Sequence, residues 1–298
     1  MVTVRVPATT ANLGPGFDTF GCALALYNTL TFEETASNLC FAGCEPAYCN
    51  EDNLAVAAYR AVMNKLGIPM HGLSVTIHTE IPISRGLGSS ASLIAAGAAA
   101  ANALHGNPYT PLQLLGICND IEGHPDNLAP ALLGGLVASF VENGCPVAER
   151  YDVHPSLHFT ALIPDFKLST QQARSILPKK VPFADAVFNV SRASVLLKAL
   201  EKGDAEIIRT ALQDRLHQPY RSSLIPGYDQ VRKLAAECGC LAFCISGAGP
   251  TLLCLSMDED FDRRLAGRIH ELPDHWRQMP LPVDHTGVQV TISSDEQQ

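Results

Sequence analysis

A glycine- and serine-rich turn stands directly before the most alanine-rich stretch of the chain. Residues 81–104 read IPISRGLGSSASLIAAGAAAANAL. The alanine run predicts a helix that begins near Ser92, since alanine has the highest helix propensity. A helix N-terminus exposes unpaired N–H groups and a partial positive charge, and glycines let the backbone approach a phosphate closely. The segment therefore has the features of an anion site, although a serine-capped helix after an ordinary turn would use the same residue types.

The composition describes a globular chain. Hydrophobic residues make up 47% of the 298 residues and charged residues 17%, which leaves little room for long disordered segments. The length permits one large domain or two of about 150 residues. The longest apolar stretch, residues 93–101, is shorter than the roughly 18 residues that a membrane-spanning helix needs. The N-terminus MVTVRVPATT lacks the apolar segment of a signal peptide, so we expect a cytoplasmic protein without a membrane partner.

Charge and cysteine spacing narrow the classes of ligand. The formal net charge of −9 argues against a nucleic-acid partner, because surfaces that bind nucleic acids are usually basic. An anionic ligand would have to be bound by local donors and a few arginines. The ten cysteines show no regular metal-ligand spacing, since Cys40, Cys44 and Cys49 lack the CxxC pattern. We expect reduced and mostly buried thiols, with metal binding as the alternative.

The hydrophobic pattern predicts strands and helices that alternate along the chain. Strands are predicted within residues 2–6, 22–33, 73–81, 157–165 and 240–256, and helices within residues 50–68, 110–123 and three stretches between 182 and 238. Pro7 is expected to end the first strand. A segment rich in Pro, Gly, His and charge at residues 142–158 marks a candidate boundary, which gives predicted halves at residues 1–151 and 152–298. Long connections favour a mixed α/β protein over a bundle or sandwich.

Two common nucleotide-binding motifs do not fit the glycine-rich turn. Residues 86–91, GLGSSA, satisfy the relaxed dinucleotide pattern, but Pro82 and Arg85 precede the glycines and no acidic residue lies between Glu80 and Asp120 to bind a ribose. The P-loop pattern is missing as well, because the dipeptide Gly-Lys does not occur in the sequence. Phosphates would therefore be bound by backbone N–H groups and serine hydroxyls.

Three glycine-rich motifs occur in a defined order. They read PATTANLGPGFDTFGCALALYN at residues 7–28, PISRGLGSSAS at 82–92 and CISGAGPTLLCL at 244–255. Together they resemble the motifs of the GHMP kinases and span most of the chain. The resemblance implies an α+β fold with two-layer α/β halves: an N-terminal half like ribosomal protein S5 and a ferredoxin-like C-terminal half. It also implies that ATP and a second substrate bind between the halves.

The resemblance assigns ATP and Mg²⁺ to named residues. The implied ATP site consists of Pro82, Ile83, Ser84, Arg85, Gly86, Leu87, Gly88, Ser89, Ser90, Ala91 and Ser92. Ser90 would offer its hydroxyl and Glu122 its carboxylate to Mg²⁺, a hard ion that prefers oxygen ligands. Gly86 and Gly88 lack a Cβ that would block the ligand. Arg85 would either contact a phosphate or face solvent.

Three further segments narrow the resemblance to GHMP kinases that phosphorylate the side-chain hydroxyl of L-homoserine in the threonine pathway. They read EGHPDNLAPALLGG at 122–135, STQQARSILPK at 169–179 and DRLHQPYRSSLIPGY at 214–228. The implied substrate-binding residues are Asn12, Asp18, His124, Thr170, Arg174 and Arg221. The implied catalytic residues are Asn12, Asp126, Asn127 and Arg174, with a positional role for Asp126 and Asn127 near the acceptor hydroxyl.

The chemistry of the substrate gives these residues separate tasks. Arg174 and Arg221 are expected near the substrate carboxylate and the phosphate path, because a guanidinium presents two parallel donors to two oxygens. Asp18 is expected to face the ammonium group and Asn12 to hydrogen-bond the substrate. Structural alternatives remain: Asp18 could cap a turn, Arg174 could lie on a helix surface and His124 could be a loop histidine. A GHMP kinase for another small alcohol and a catalytically silent ligand sensor also remain, and a homodimer is expected from the resemblance alone.

Overall fold

Strands and helices alternate along the chain in the computed structural model, which describes residues 1–293. The strands are β1 (Val2–Ala11), β2 (Phe20–Thr35), β3 (Leu39–Ala42), β4 (Gly72–Thr79), β5 (Leu136–Glu142), β6 (Cys145–Tyr151), β7 (His158–Pro164), β8 (Ala242–Ile245), β9 (Leu252–Ser256), β10 (Trp276–Pro280) and β11 (Gln289–Ile292). The helices are α1 (Leu54–Leu66), α2 (Ser89–Leu104), α3 (Pro111–Glu122), α4 (Leu128–Leu133), α5 (Thr170–Ser175), α6 (Phe183–Lys202), α7 (Ala205–Ala211), α8 (Gln218–Arg221), α9 (Tyr228–Glu237) and α10 (Phe261–Arg268).

The strands form two sheets. The larger sheet has the order β11-β1-β2-β4-β3, and β5 pairs with the start of β2 and with β6. Its pairs are antiparallel except β3 with β4. The smaller sheet has the antiparallel order β10-β7-β9-β8. Helices α1 to α4 come from the chain that builds the larger sheet, and α5 to α10 from the chain around the smaller one. This segregation confirms the predicted α+β class.

The alanine-rich helix α2 lies in the middle of the first core. Its residues from Ile94 to Ala103 are buried, and they pack with apolar residues of β1, α1, α3 and α4. A Cβ placed on Gly97 would lie 1.9 Å from the backbone oxygen of Ala55, so α1 and α2 approach at backbone contact. A helix surrounded this closely needs small side chains on nearly every face, which explains the composition of the run.

Capping residues in the local sequence determine where several helices begin or end. Thr110 caps α3 and forms a capping box with Gln113, and Pro111 occupies the first turn. Gly67 ends α1 in the left-handed conformation. The cap of α1 is Asn53, whose side chain accepts the N–H of Ala55. Four helices, α6 to α9, lie between residues 182 and 238, where the sequence predicted three.

Two expected boundaries are wrong. Strand β1 continues through Pro7 to Ala11, with a register shift against β2 between Pro7 and Ala8. A bulge tolerates the missing N–H of proline, so the strand is not broken. Helix α2 begins at Ser89 rather than near Ser92, because Gly88 already adopts the left-handed conformation (φ 70°) that ends the turn. As a result, the first motif begins within β1 and the second motif runs directly into α2.

The end of the chain returns to the first sheet. Strand β11 pairs with β1 from Val2 opposite Ile292 to Arg5 opposite Gln289. The second sequence-predicted half thus contributes a strand to the larger sheet, and the division at residue 151 stays a prediction. Residues 294–298 of that half lie outside the described residues. Between residues 1 and 293, no helix combines the length and apolarity needed to cross a membrane.

Candidate active site

A cavity of about 480 Å³ lies where the three glycine-rich motifs meet. Most of the sequence-predicted site residues line it, including Asn12, Asp18, Ile83, Ser84, Arg85, Gly86, Gly88, Ser89, Ser90, Glu122, His124, Asp126, Asn127, Thr170, Arg174 and Arg221. Four residues of the implied ATP site do not line it. Pro82 lies outside the lining, and Leu87, Ala91 and Ser92 are buried behind it. The fold thus brings together groups that are up to 209 positions apart, from Asn12 to Arg221.

The turn before α2 is shaped by close backbone contacts. Gly86 and Gly88 have positive φ angles of 74° and 70°. A Cβ on Gly86 would lie 2.3 Å from the backbone oxygen of Ser246, and one on Gly88 would lie 1.9 Å from Thr9 Oγ1. We expected these glycines to leave space for a ligand. The structure gives a different reason: each glycine lets the turn pack against another part of the protein.

Three buried polar residues support this turn, two through side chains and one through its backbone N–H, and none of them was predicted. The side chain of Asn28 accepts hydrogen bonds from the N–H groups of Glu80 (3.0 Å) and Ile81 (3.1 Å) and donates to Ser92 Oγ (2.8 Å). Ser246 Oγ donates to the carbonyl of Gly86 at 2.6 Å, and the N–H of Thr9 donates to the carbonyl of Leu87 at 3.1 Å. The first and third motifs contain these three residues, but a motif does not say which members face the turn and which face a ligand.

Ser90 and Glu122 form an oxygen pair at the start of α2. Ser90 lies in the first turn of α2 and Glu122 ends α3, and Ser90 Oγ donates to Glu122 Oε2 at 2.6 Å. A hydroxyl and a carboxylate oxygen are the ligand types that Mg²⁺ prefers, and Mg²⁺ commonly keeps water and phosphate ligands besides one or two protein groups. Among residues 1–293 no cluster of three His, Cys, Asp or Glu side chains could bind a metal alone. The pair therefore fits a metal that arrives with a phosphate ligand.

Asp18 and Arg174 meet at the opposite wall as an ion pair. Arg174 Nη2 donates to Asp18 Oδ1 at 2.7 Å and Nη1 to Oδ2 at 2.9 Å. Asn12, with a positive φ of 71°, accepts the N–H of Asp18 at 3.0 Å and donates to the carbonyl of Gly247 at 2.7 Å. From the sequence, Asp18 and Arg174 were expected in the same pocket, but an ion pair between them was not predicted.

Arg221 is the largest fully buried side chain and lies beside this pair. Its Nε donates to the carbonyl of Ala173 at 3.2 Å, and its Nη1 to the carbonyl of Gly247 at 3.1 Å. Burial and the nearby charge of Arg174 lower the pKa of Arg221 to about 10. No carboxylate within residues 1–293 forms an ion pair with it. The charges of Asp18, Asp126 and Asp214 act on Arg221 from beyond ion-pair distance, and a buried cation without a direct ion pair among the described residues suits an anionic ligand.

His124, Asp126 and Asn127 lie in the turn before α4. His124 Nδ1 donates to Asp126 Oδ1 at 2.9 Å, and Asp126 is only 2% exposed. This hydrogen bond raises the pKa of His124, although burial opposes the shift. Asn127 Oδ1 accepts from Thr9 Oγ1 at 2.8 Å, so both Asp126 and Asn127 are held by protein partners. Thr170 begins α5 and lines the cavity close to Arg174.

Arg85 bonds backbone carbonyls beside the glycine turn. Its Nε donates to the carbonyl of Pro164 at 2.9 Å, its Nη1 to the carbonyl of Ile83 at 3.3 Å, and its Nη2 also bonds the carbonyl of Asp165. The guanidinium thus connects the turn to the end of β7. The guanidinium is partly exposed and lines the cavity, so phosphate contact and solvent exposure both stay predictions.

The sequence did not predict the segment that forms one wall of the cavity. A short 3₁₀ turn at Pro46–Tyr48, together with Asn50, Asp52 and Asn53, lines the side beyond the glycine turn. Asn53 Nδ2 donates to the carbonyl of Tyr48 at 2.9 Å, which fixes the turn against the start of α1. This segment has no recognisable motif, because irregular loops depend on contacts rather than on periodic patterns.

The cysteines lie largely apart from the cavity. All ten are free thiols; five are buried, two are half-buried and three are exposed, so the expectation of mostly buried thiols is only half right. Burial and, to a smaller extent, the charge of Glu122 raise the pKa of Cys118 to about 12. Such thiols behave as small apolar groups.

Comparison with known proteins gives the class of this fold and site. The profile of the GHMP kinases N terminal domain matches residues 53–135, and the profile of the GHMP kinases C terminal domain matches residues 196–271. The matched segments contain the glycine turn, α2 and Glu122 on one side and the third motif on the other. The chain belongs to the GHMP kinase family.

Individual relatives narrow the family. A homoserine kinase of Clostridium beijerinckii is 42% identical over 97% of this chain and 98% of its own length, and one of Clostridium botulinum is 40% identical over 97% and 98%. The crystal structure of homoserine kinase from Cytophaga hutchinsonii superposes with a TM-score of 0.86 at 28% identity and covers 97% of each chain. These relatives place the chain among the homoserine kinases. A mevalonate kinase of L. major shares the fold, with a TM-score of 0.72 at 16% identity over 95% of each chain.

Proposed function

We propose that the protein transfers the γ-phosphoryl group of ATP to the side-chain hydroxyl of L-homoserine, which yields ADP and O-phospho-L-homoserine in threonine biosynthesis. The likeness to homoserine kinases over nearly the full chain supports the activity. The observation that carries the substrate assignment is Arg221, a buried guanidinium beside the phosphate-binding turn that has no carboxylate partner within residues 1–293. An amino acid substrate supplies that carboxylate.

The substrate's charged groups match the two sides of the pocket. Arg221 uses Nε and Nη1 for backbone carbonyls, and no protein acceptor bonds its Nη2 among the described residues, so that group is available to the substrate carboxylate. Asp18 accepts one bond from Arg174 at each oxygen and retains lone pairs for an ammonium group. Asn12 and His124 border the space between these charges and bind the aliphatic amino acid there. Thr170 closes the pocket beside Arg174.

The nucleotide's phosphates bind at the first turn of α2. The N–H groups of that turn have no helical partner and carry the positive end of the helix dipole, which suits a phosphate. Ser90 and Glu122 would bind Mg²⁺ at the same place. When bound, the ion neutralises charge on the phosphate oxygens, as in other phosphoryl transfers.

Phosphoryl transfer needs positioning and charge stabilisation more than covalent chemistry from the protein. Asp126 bonds His124 and Asn127 bonds Thr9, so both side chains are oriented by protein partners and can fix the acceptor hydroxyl in line with the γ-phosphate. Arg174 and Asn12 supply donors where negative charge develops. In this proposal the four residues act by position and charge, without a dedicated base.

The test is a coupled assay of ADP formation with purified protein, ATP, MgCl₂ and L-homoserine, with mass spectrometry of the product. We expect homoserine-dependent turnover and a product heavier by one phosphoryl group. Mevalonate and galactose serve as competing acceptors. A preference for either would indicate a kinase for another small alcohol, and nucleotide binding without turnover would indicate a ligand sensor.

Two properties stay predictions from the sequence. Cytoplasmic location can be tested by cell fractionation, and a homodimer by sedimentation of the purified protein. Neither property is needed for the transfer proposed above, because every residue assigned to it lies within one chain.

A further inference from the structure

His217 lies directly behind Arg221 and outside the substrate cavity. It precedes α8, and Arg221 is the last residue of that helix, four positions later. The side chain of His217 is fully buried. Since the proposed mechanism gives it no task, its burial beside a substrate-facing arginine needs a separate explanation.

The hydrogen bonds of His217 define which nitrogen carries the proton. Nε2 lies 2.9 Å from the carbonyl oxygen of Gly14, an atom that can only accept, so Nε2 must carry the hydrogen. In the neutral ring Nδ1 then bears the lone pair. Arg221 Nη1 lies 3.5 Å from Nδ1 and can donate to it through a long hydrogen bond. One imidazole therefore connects the loop of the first motif with the guanidinium.

The surroundings keep the ring neutral and oriented. Asp214, before α8, places Oδ2 3.5 Å from Nε2, Arg221 faces Nδ1, and Asp18 is the remaining charged group whose field reaches the ring. Burial is the main reason that the pKa of His217 is lowered. Phe17 stacks on the imidazole with ring centroids 5.2 Å apart.

Asp214 is committed to the backbone rather than to the arginine. Its carboxylate accepts the N–H groups of His217 (2.9 Å) and Gln218 (2.6 Å) and the side chain of Asn189 (2.6 Å). It thus anchors the start of α8, while among residues 1–293 the hydrogen-bond acceptors of Arg221 are neutral: two backbone carbonyls and the imidazole. Asp18, Asp126 and Asp214 act on Arg221 only from beyond ion-pair distance, which leaves its Nη2 group available to a ligand.

We propose that His217 is a positioning residue for the transfer reaction. By donating to Gly14 and accepting from Arg221, it fixes the guanidinium relative to the first-motif loop that carries Asn12 and Asp18. The substrate carboxylate then meets a preoriented donor, and a protonated or shortened side chain at this position would remove that acceptor. This inference rests on the proposed function, since homoserine is the substrate whose carboxylate Arg221 binds.

Two substitutions separate the two hydrogen bonds of His217. In His217→Asn, the side-chain oxygen can replace Nδ1 as the acceptor for Arg221. In His217→Gln, the amide nitrogen can replace Nε2 as the donor to Gly14, but no acceptor remains near Nδ1. We expect His217→Gln to raise the KM for L-homoserine about tenfold or more, the loss expected for a hydrogen bond to a charged group. His217→Asn should recover most of this loss, and the KM for ATP should change little in either variant.

A double-substitution cycle shows whether His217 acts through Arg221. Arg221→Ala alone should raise the KM for homoserine, and adding His217→Gln should raise it no further, because the guanidinium to be positioned is gone. Independent, multiplicative effects, or equal KM values for His217→Gln and the unchanged protein, would overturn the proposal. A merely structural role would lower the melting temperature without this dependence on Arg221.

Binding of a fluorescent ATP analogue serves as the folding control. If His217→Gln fails to bind it, His217→Asn decides alone: it keeps an acceptor for Arg221, so its KM for homoserine should stay near that of the unchanged protein, and a tenfold rise contradicts the proposal. The unchanged protein separates this inference from the proposed function. If it shows no homoserine-dependent ADP formation, the proposed function itself is wrong. If it is active and the His217 variants have the same KM for homoserine as the unchanged protein, only the role of His217 is refuted.

Discussion

Arg174 and Asp18 form a two-bond ion pair, 2.7 and 2.9 Å long, across 156 positions of sequence. The pair connects the first-motif loop with α5 at the substrate end of the cavity. Its side chains are 38% and 34% exposed, so solvent screening limits what the pair adds to stability. Because both side chains line the cavity, we expect the pair to affect substrate binding more than folding.

Asp18→Asn tests this difference. We expect the KM for L-homoserine to rise about tenfold, because the ammonium group loses a charged partner and Arg174 loses its orientation. The melting temperature should fall by only a few degrees, consistent with about 1 kcal/mol or less for a partly exposed pair. Asp260→Asn breaks the exposed pair with Arg263 (2.8 Å) and should leave KM unchanged. Equal effects of the two substitutions would refute the assignment.

Ser90→Ala and Glu122→Gln test the metal pair. Ser90→Ala removes one of the two oxygens that lie 2.6 Å apart, and Glu122→Gln removes the negative charge of the other group, so each should raise the Mg²⁺ concentration needed for half-maximal activity about tenfold or more. Titration of activity with MgCl₂ at fixed ATP measures this. Asp120→Asn, on the same helix as Glu122 but paired with Lys65 at 3.9 Å, is the matched control. An unchanged Mg²⁺ requirement in both test variants would show that the metal binds elsewhere.

Gly86→Ala should disturb the phosphate-binding turn. The new Cβ would lie 2.3 Å from the backbone oxygen of Ser246 and 2.8 Å from that of Gly249, neither of which can move without shifting the third motif. We expect loss of ATP-analogue binding and a marked fall in melting temperature. Gly106→Ala has a similar φ of 82° but no heavy atom within 4 Å, so it should cost only about 1 kcal/mol of backbone strain. Similar behaviour of the two variants would contradict the packing argument.

Asn28→Ala removes the buried side chain that joins the end of β4 to α2. Two N–H groups, of Glu80 and Ile81, then lose their acceptor, and an unsatisfied buried group costs about 1–3 kcal/mol. Urea denaturation should show a loss of about 2–5 kcal/mol, with a raised KM for ATP. The exposed Asn64→Ala on α1 should stay within about 0.5 kcal/mol of the unchanged protein. A stable Asn28→Ala variant with normal ATP kinetics would exclude this supporting role.

Asp126→Asn tests the raised pKa of His124. The folded-state pKa lies above the ordinary 6.5, because Asp126 accepts a hydrogen bond from the imidazole, against the opposing effect of burial. The stability contributed by this shift is therefore fully present below pH 6.5 and is lost as the pH rises through the folded-state pKa. Asp126→Asn should destabilise more at about pH 5.5 than at about pH 8.5.

Titration of the His124 ring protons by NMR measures the same shift directly. The pKa should fall in Asp126→Asn, while the exposed His78 serves as an internal reference. A His124 pKa that does not change on substitution, or a stability loss that is the same at both pH values, would show that the hydrogen bond does not control the titration.

Much of the function could be predicted from the sequence, because its strongest signals are local. The glycine and serine turn at 82–92 and the alanine run after it specify a tight turn and a helix through the conformational preferences of their own residues. The order of the three motifs was enough for the GHMP kinase family, and the resemblance implied the α+β class, whereas the nucleotide-binding role of the turn stays a prediction. The structure shows which of the predicted residues line the cavity, and their roles in binding and catalysis stay predictions.

Only the tertiary structure decided how the site is assembled. The continuation of β1 through Pro7 depends on a bulge against β2, and the close packing of Gly86 depends on Ser246, 160 positions away. The pairing of Arg174 with Asp18 and the contact of His217 with Gly14 likewise join segments far apart in sequence. A residue's local pattern indicates its chemistry, but its partners are set by packing among distant segments, since burial and hydrogen-bond satisfaction are properties of the folded chain as a whole.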